Sequence, residues 1–222
     1  MVDAAEQRLN MVESQVRPSD VTDRAILRAM QDVPRERFVP PAMAALAYMD
    51  EAVPLPAAAD GPRRWLMAPR VFGKLVQLAR IGEGDRVLDV GAGLGYSAAV
   101  LAKLASQVVA LESEAGLAKE ATSLLSALGL ANVTVQTGDL AAGCPDQGPF
   151  DAIVLEGSIG ETPASLLDQL SDGGRLVAVV RSENLARAVV WLRSGSACDQ
   201  RTAFDAAAPP LPGFQPAAAF VF

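Results

Sequence analysis

The sequence predicts an α/β protein with a doubly wound, Rossmann-like, mostly parallel sheet, an N-terminal helical cap and a C-terminal antiparallel hairpin. Three observations lead to this fold class. From residue 69 onward, short apolar strands alternate with segments of helical periodicity, which is typical of a parallel sheet covered on both faces. A glycine-rich turn follows the first of these strands. The last quarter of the chain contains two strand-like runs separated by a Ser-Gly-Ser turn, which favours a hairpin.

Length and composition indicate one folded domain with a small appendage. The chain has 222 residues, of which 50% are hydrophobic and 20% are charged. These values are ordinary for a protein with a sizeable core, whereas a disordered chain has lower hydrophobicity and denser charge. We therefore divide the chain into residues 1–68, a helical cap followed by a loop, and residues 69–222, the Rossmann-like core.

The net charge argues against a nucleic-acid partner. The chain carries 19 Lys and Arg residues against 26 Asp and Glu residues, which gives a formal charge of −7. A net acidic surface repels phosphate backbones, so we expect no broad nucleic-acid footprint.

Residue usage also argues against a metal site and a membrane anchor. The chain has no histidine, and its two cysteines, Cys144 and Cys198, lack the spacing of paired metal ligands, so no metal is predicted. No segment approaches 18 uninterrupted apolar residues, and the polar N-terminus does not read as a signal peptide. We therefore expect a cytoplasmic protein without membrane attachment.

The N-terminal part predicts two helices and a long loop. Leu9, Val12 and Val16 lie at helical spacing before Pro18. A second helix is predicted to open near the capping residues at 19–20 and to end before residue 34. Its apolar side consists of Ile26, Leu27, Met30 and Val33. The stretch 53–69 is rich in Pro and Ala and is predicted to be a loop, with a turn at Asp60-Gly61-Pro62.

The core pattern begins with a helix at Pro69, a favourable residue for a first helical turn. The apolar face of this helix comprises Val71, Phe72, Leu75, Val76 and Ala79. Strands are predicted at 86–90, 108–112, 133–137, 150–155 and 175–180, and further helices at about 96–106, 114–128 and 163–170. The hairpin strands are placed at 188–192 and near 202–204, and a final edge strand at 219–222.

The glycine turn Gly91–Gly95 indicates a ligand site. Its glycines allow positive φ angles and a close approach of the backbone to a ligand. The spacing differs from the dinucleotide fingerprint G-x-G-x-x-G, because Tyr96 stands where the third glycine would be, and the Lys-Ser/Thr ending of a P-loop is absent. Asp89, two residues before the turn, is unfavourable for pyrophosphate and favourable for a cationic amino group. The turn therefore favours an amino-acid-bearing nucleoside.

Acidic residues end the next two strands of the predicted sheet. Glu112 lies 21 residues after Gly91, where an acid in doubly wound folds accepts hydrogen bonds from ribose hydroxyls. Asp139 follows the third strand and could accept from an adenine amine, while Leu140 could cover the ring. The alternatives are a solvated acid at residue 112 and an ordinary turn aspartate at residue 139.

Together these elements resemble the class I S-adenosylmethionine-dependent methyltransferases, over about residues 69–192. The glycine turn is similar to their D/E-x-G-x-G-x-G motif. The resemblance implies S-adenosyl-L-methionine as the cofactor and a Rossmann-like fold. It implies that the cofactor is contacted by Asp89, Gly91, Ala92, Gly93, Gly95, Tyr96, Glu112, Asp139 and Leu140.

A closer resemblance, to the protein-L-isoaspartate O-methyltransferase family, extends over nearly the whole chain. It is carried by the octapeptide VPRERFVP at 33–40, AYMD at 47–50 with Pro-Leu at 54–55, GYSAAVLA at 95–102 and GPFD at 148–151. This resemblance implies transfer of a methyl group to a carboxylate of a protein or peptide. Such an acceptor is already an anion and needs no general base, which suits a chain without histidine.

The sequence departs from this family between the cap and the core. The family has a G-x-G-Q-T-I-S-x-P segment, and alignment on Gly61 and Pro69 places Arg64, Trp65 and Met67 where it has glutamine, threonine and serine. Because a thioether donates no hydrogen bond, the segment predicts weak activity on isoaspartyl acceptors. A methyltransferase for another small-molecule or protein acceptor, or a non-catalytic S-adenosylmethionine-binding protein, are the alternatives.

The replaced segment supplies the acceptor-side candidates. Arg63 and Arg64 could clamp a carboxylate, since guanidinium pairs with it bidentately, but we favour two solvated arginines on a loop. Trp65 and Met67 could line a pocket for an apolar acceptor or could plug it. The residues that carry catalysis and the oligomeric state are not predicted.

Overall fold

The fold is described by a computed structural model that covers residues 3–56, 63–182 and 185–214. Its main sheet has seven strands in the order β5-β4-β3-β6-β7-β8-β9. The strands are β3 (Arg86–Val90), β4 (Gln107–Glu112), β5 (Val133–Thr137), β6 (Phe150–Ile159), β7 (Leu170–Arg181), β8 (Ala186–Ser194) and β9 (Ala197–Asp205). Strands β3 to β7 are parallel to one another, and β8 and β9 are added antiparallel, with β8 paired to β7. This arrangement confirms the predicted fold class and the C-terminal hairpin.

The helices pack on both faces of this sheet. They are α1 (Ala4–Met11), α2 (Arg24–Asp32), α3 (Pro69–Ala79), α4 (Tyr96–Leu101), α5 (Ala115–Ala127) and α6 (Ala164–Leu167). Short helical turns follow α2 at Arg35–Phe38 and Pro41–Leu46. The five residues predicted for the apolar face of α3 are all buried, because the helix packs against β6 and β7.

The first helical segment buries the predicted stripe only in part. Leu9 is 47% exposed, whereas Met11, Val12 and Val16 are buried. The chain continues from α1 into a wider, π-type turn at Val12–Val16 and a 3-10 turn at Arg17–Ser19. A wider turn takes up additional residues per rotation, so the buried stripe shifts along the sequence.

The second helix begins later than predicted. Asp20 has a left-handed φ of 67° and ends the preceding helical segment. Asp23 caps α2 instead, because its Oδ1 accepts from the backbone amides of Ala25 and Ile26. The predicted apolar residues Ile26, Leu27, Met30 and Val33 are buried.

The stretch predicted as a loop contains a small antiparallel sheet. Strand β1 (Val53–Pro54) pairs with β2 (Trp65–Leu66). The Leu55 amide extends the pairing by donating to the Arg64 carbonyl at 2.9 Å. We call Val53–Leu55 and Arg64–Leu66 the β1–β2 cover. The predicted turn at residues 60–62 and the edge strand at 219–222 lie outside the described residues.

Apolar packing is continuous between the helical cap and the core. Val16, Met30 and Phe72 belong to the same buried cluster as the central strand residues Val87 and Val154. The division at residue 68 therefore separates sequence segments that share a core, and it stays a prediction as a domain boundary.

Gly73 in α3 provides a test of this packing. A Cβ at Gly73 would lie 2.9 Å from Val16 Cγ1 and 3.3 Å from Met30 Sδ. Overpacking of ~1–3 kcal/mol outweighs the helix-propensity gain of ~1 kcal/mol, so we expect Gly73→Ala to lower the free energy of unfolding. Gly116→Ala in α5 is the matched control, because its Cβ would meet nothing within 4 Å, and it should not destabilise. Equal changes in the free energy of unfolding for Gly73→Ala and Gly116→Ala, measured by urea denaturation, would contradict this packing.

Two negative findings concern the described residues. No helix within them is long and apolar enough to cross a membrane. In the same part of the chain, no group of three or more Cys, His, Asp or Glu side chains is arranged to hold a metal ion.

Candidate cofactor and active site

The candidate site lies where the order of the strands reverses. From β3 the chain winds outward through β4 and β5, and it then returns to place β6 on the other side of β3. Ligands of such sheets bind at the carboxyl ends of the strands beside this switch point. The glycine turn Gly91–Gly95 follows β3 there. Its three glycines have φ angles of 84°, 57° and 92°, which residues with a Cβ rarely adopt.

Asp89 lies on β3 directly below the glycine turn. It is fully buried, and its Oδ2 accepts from Ser97 Oγ at 2.6 Å. Its Oδ1 has no hydrogen-bond partner among the described residues. Burial, helped by the nearby Glu112 carboxylate, raises the pKa of Asp89 to about 7, although Ser97 and Arg64 oppose this rise.

Glu112 ends β4 and is fully buried as a hydrogen-bonded carboxylate. Its Oε2 accepts from the Gly93 amide at 2.7 Å, and its Oε1 accepts from the amides of Ser113 and Glu114 at 2.8 and 3.1 Å. Burial alone raises the pKa of Glu112, but Arg64 and the backbone amides outweigh it, so the net pKa lies below the ordinary value. Glu112 is therefore an anion at neutral pH.

Arg64 is the partner of Glu112, which corrects the prediction of two solvated arginines. Arg64 is 2% exposed. Its Nε lies 3.1 Å from Glu112 Oε1, and its Nη2 lies 3.0 Å from Glu112 Oε2 and 2.7 Å from the Gly91 carbonyl oxygen. Arg63, by contrast, is exposed as predicted. Arg64 alone therefore pairs with a carboxylate, and that carboxylate belongs to the protein itself.

Apolar side chains complete the covering of the glycine turn. A Cβ placed on Gly93 would lie 2.5 Å from Leu55 Cδ1. A Cβ on Gly91 would lie 2.6 Å from Leu211 Cδ1 and 2.6 Å from Arg64 Nη2. All five residues of the turn, including Ala92, are buried. The carboxylates at the site suit a cationic nucleoside, but Arg64 and the two leucines occupy the space over the turn.

The cofactor candidate Tyr96 and the remaining acceptor-side candidates, Trp65 and Met67, face the core or lie at its margin. Tyr96 is buried, and the Arg35 guanidinium lies 4.7 Å from its ring centroid. Met67 is 1% exposed, and its carbonyl oxygen accepts from Arg35 Nη2. Trp65 is half-buried. Met67 therefore acts as a core side chain in this arrangement, which matches the plugging alternative.

The predicted adenine contacts separate into one exposed and one buried residue. Asp139 is exposed, and its Oδ1 accepts from the Ala141 amide at 3.0 Å, as in an ordinary turn. Leu140 is 1% exposed. Their contact with adenine stays a prediction.

Two buried polar residues on β6 were not identified from the sequence. Glu156 Oε1 and Ser158 Oγ have no hydrogen-bond partner among the described residues. Burial, followed by the neighbouring Asp89, holds the pKa of Glu156 well above its ordinary value, so the neutral acid is favoured. One signal in the sequence could have identified Glu156. It is an acid that directly follows five largely apolar strand residues and precedes Gly157, and ligands of such sheets bind at this end of the strands.

The raised pKa of Asp89 predicts a pH dependence of stability. An acid whose pKa is raised by folding stabilises the fold below its unfolded pKa, near 3.8, and this contribution disappears as the pH rises through about 7. The loss amounts to at most about 4 kcal/mol. We expect wild-type protein to lose more unfolding free energy between pH 5 and pH 8 than Asp89→Asn, measured by urea denaturation. Parallel pH profiles of the two proteins would exclude a raised pKa.

The fold and the site define a class of protein. A seven-stranded sheet with two antiparallel strands at one edge, a glycine turn after its first parallel strand and an acid at the end of the next strand is the architecture of the S-adenosylmethionine-dependent methyltransferases.

Comparisons with known proteins identify the family. The family model for protein-L-isoaspartate(D-aspartate) O-methyltransferase matches residues 6–203. Protein-L-isoaspartate O-methyltransferase 1 of Rhodopseudomonas palustris (strain HaA2) is 40% identical over 197 residues, which cover 89% of this chain and 78% of that protein. The Gloeobacter violaceus protein-L-isoaspartate O-methyltransferase is 39% identical over 86% of this chain and 92% of its own. The chain belongs to the protein-L-isoaspartate O-methyltransferase family.

Solved structures agree with this assignment at the level of the fold. A protein-L-isoaspartate O-methyltransferase superposes with a TM-score of 0.80 and 22% identity, over 94% of this chain and 66% of that one. A Plasmodium falciparum structure described as an enzyme of the same kind, in complex with S-adenosyl-L-homocysteine, gives a TM-score of 0.75 and 20% identity, over 91% and 96% of the two chains.

Proposed function

We propose that this chain is an S-adenosylmethionine-dependent methyltransferase that esterifies a carboxyl group of a protein or peptide, with isoaspartyl residues as the acceptor class. The observation that carries this proposal is the position of Asp89, the glycine turn and Glu112 at the switch point of a fold that matches the family from the cap to the hairpin. The family membership supplies the acceptor class.

The carboxylates of the site suit the cofactor. When bound, S-adenosylmethionine supplies a methyl group on a positively charged sulfur, which is an electrophile that a carboxylate can attack. Glu112 is the residue that would accept hydrogen bonds from the ribose hydroxyls, and Asp89 is the acid beside the cationic amino acid part. Because the acceptor is an anion, the protein's contribution is positioning and the exclusion of water.

A groove between the cap and the core is the proposed place of the acceptor. It has a volume of 940 Å³ and is lined by residues of the cap, α3, the end of β7 and the segment after β9. Its basic side chains are Arg70, Lys74 and Arg181. Arg70 pairs with Asp50 at 3.0 Å, and Lys74 Nζ lies 4.3 Å from the Phe204 ring centroid. The groove is also lined by the carboxylates Asp50, Glu51 and Asp205, so its charges balance and the acceptor class rests on the family membership.

The protonated state of Glu156 is compatible with such an acceptor. An ionised Glu156 on β6 would repel a second carboxylate that bound near it. Because burial and Asp89 raise the pKa of Glu156, the side chain is favoured in its neutral form and opposes the acceptor much less.

Transfer of a labelled methyl group tests this proposal. Protein and S-[methyl-³H]adenosylmethionine are incubated with an isoaspartyl peptide and with the matched aspartyl peptide. We expect a base-labile methyl ester on the isoaspartyl peptide only. Equal labelling of both peptides would contradict the acceptor class, and label in a base-stable linkage would contradict carboxyl methylation.

A further inference from the structure

Arg64 occupies the position that the proposed function gives to the ribose of the cofactor. Its guanidinium places two nitrogens on the Glu112 carboxylate and one of them also on the Gly91 carbonyl oxygen. The same Nη2 stands 2.6 Å from the point where a Gly91 Cβ would lie, which is the surface that a glycine turn keeps open for a ligand.

Glu112 has no acceptor capacity left for a ligand in this arrangement. A carboxylate offers about four lone-pair positions on its two oxygens. Oε1 accepts from Arg64 Nε and from the amides of Ser113 and Glu114, and Oε2 accepts from Arg64 Nη2 and the Gly93 amide. A ribose hydroxyl can therefore bind Glu112 only if Arg64 withdraws.

Arg64 belongs to a structural unit that can withdraw together. The Leu55 amide donates to the Arg64 carbonyl, so both residues sit on the β1–β2 cover. Leu55 covers Gly93, and Arg64 covers Gly91. Displacement of this one small sheet would uncover Gly93 and remove Arg64 from Gly91, whereas Leu211 approaches Gly91 on a separate segment that pairs with Ser158.

We infer that Arg64 is a built-in competitor of the cofactor, so that S-adenosylmethionine binds only when the Arg64 side chain leaves Glu112 and Gly91. This inference rests on the proposed function, because it takes the ligand of the glycine turn to be an adenosyl amino acid. It makes Arg64 the residue that sets cofactor affinity in this chain, although Arg64 makes no bond to the bound cofactor.

A binding comparison tests the inference with a matched control. S-adenosyl-L-homocysteine is titrated by calorimetry into wild-type protein, Arg64→Gln and Arg63→Gln. The wild-type protein has to break the buried Arg64–Glu112 pair when it binds the ligand, and this lowers its binding constant by a factor of about 100. Arg64→Gln has no such pair to break, so it should bind about 100-fold more tightly than wild type. Arg63→Gln removes the same charge one residue away, where the side chain is exposed, and its affinity should equal that of wild type.

The outcomes separate this inference from the proposed function. Equal affinities for wild type and Arg64→Gln overturn the competition, while the cofactor assignment stands because binding is observed. Absence of binding in both proteins overturns the competition and the proposed function together. A gain in Arg63→Gln as large as that in Arg64→Gln assigns the effect to net charge and overturns the role of the buried pair.

A second measurement uses wild-type protein, so it does not depend on the folding of a variant. The Arg64 Nε–H donates to a buried carboxylate, and its NMR signal should exchange slowly with water in the cofactor-free protein. Saturating S-adenosyl-L-homocysteine should abolish this protection. Fast exchange before addition, or protection that persists in the complex, overturns the inference.

Discussion

Replacement of Glu112 by alanine is expected to lower the free energy of unfolding by about 3–5 kcal/mol, because it leaves the buried Arg64 guanidinium without its counter-charge. Arg64 is 2% exposed, and once the carboxylate is gone its remaining hydrogen-bond partner among the described residues is the Gly91 carbonyl. The same variant removes the proposed ribose acceptor, so it should also lose cofactor binding. Urea denaturation and calorimetric titration measure the two effects.

Two further variants separate the ion pair from general damage. Glu114→Ala removes an acid two residues away that is only half-buried, and it should change stability little. The double variant Glu112→Ala with Arg64→Met removes both charges and should recover much of the lost stability, because replacing a buried pair by apolar groups is often close to neutral. Additive losses in the double variant would show that the two side chains are not coupled.

Wild-type protein is expected to methylate an isoaspartyl peptide about 100- to 1000-fold more slowly than a family member with the G-x-G-Q-T-I-S segment, at saturating cofactor. The loss of one well-placed hydrogen-bond donor typically has an effect of this size. Here Trp65 and Met67 replace two such side chains, and Met67 is buried in the core. The expected defect concerns the acceptor side and is separate from cofactor affinity.

The triple variant Arg64→Gln, Trp65→Thr and Met67→Ser should raise this rate if the segment follows the family's path. Arg64→Gln alone is the control, because it changes the cofactor site without restoring either hydroxyl group. Rates are compared at saturating S-adenosylmethionine, so that differences in cofactor affinity do not enter. Wild-type turnover equal to that of the ordinary family member would show that other groups bind the acceptor.

The parallel core could be predicted from the sequence because its signals are local. Strand β3 begins and ends at the predicted residues, and α3 begins at the predicted proline. Each buried strand is a short apolar run bounded by turn residues, and each helix has its own apolar stripe. The glycine turn could also be recognised from local sequence. Three glycines at alternate positions after a strand indicate a turn with left-handed φ angles, and the structure has these angles.

The closing of the site by Arg64 could not be predicted, because it depends on a contact between distant residues. Arg64 and Glu112 are 48 positions apart. An arginine on a Pro-rich stretch has the same local pattern whether its side chain is solvated or buried. Only the packing of the β1–β2 cover over the glycine turn decides between these states.

Glu156 was missed for a related reason. It interrupts an apolar strand that was predicted to end at residue 155, and β6 extends to Ile159. A carboxylate that follows the predicted end of a strand is expected to be solvated. Because β6 continues past residue 155, Glu156 is instead buried next to Asp89. Leu9 was wrongly assigned to the buried stripe that Val12 and Val16 do form, because the wide turn at Val12–Val16 has no signature that periodicity alone detects.

The central claim is that the turn Gly91–Gly95 holds S-adenosylmethionine, and calorimetric titration with S-adenosyl-L-homocysteine tests it most directly. The wild-type protein is compared with Gly93→Val, in which a side chain is added at a φ of +57° and 2.5 Å from Leu55 Cδ1. We predict one ligand bound per wild-type chain, no heat of binding with NAD, and no binding to a Gly93→Val protein whose circular dichroism is native. Wild-type protein that binds no S-adenosyl-L-homocysteine, or a Gly93→Val protein that binds it unchanged, would contradict the account.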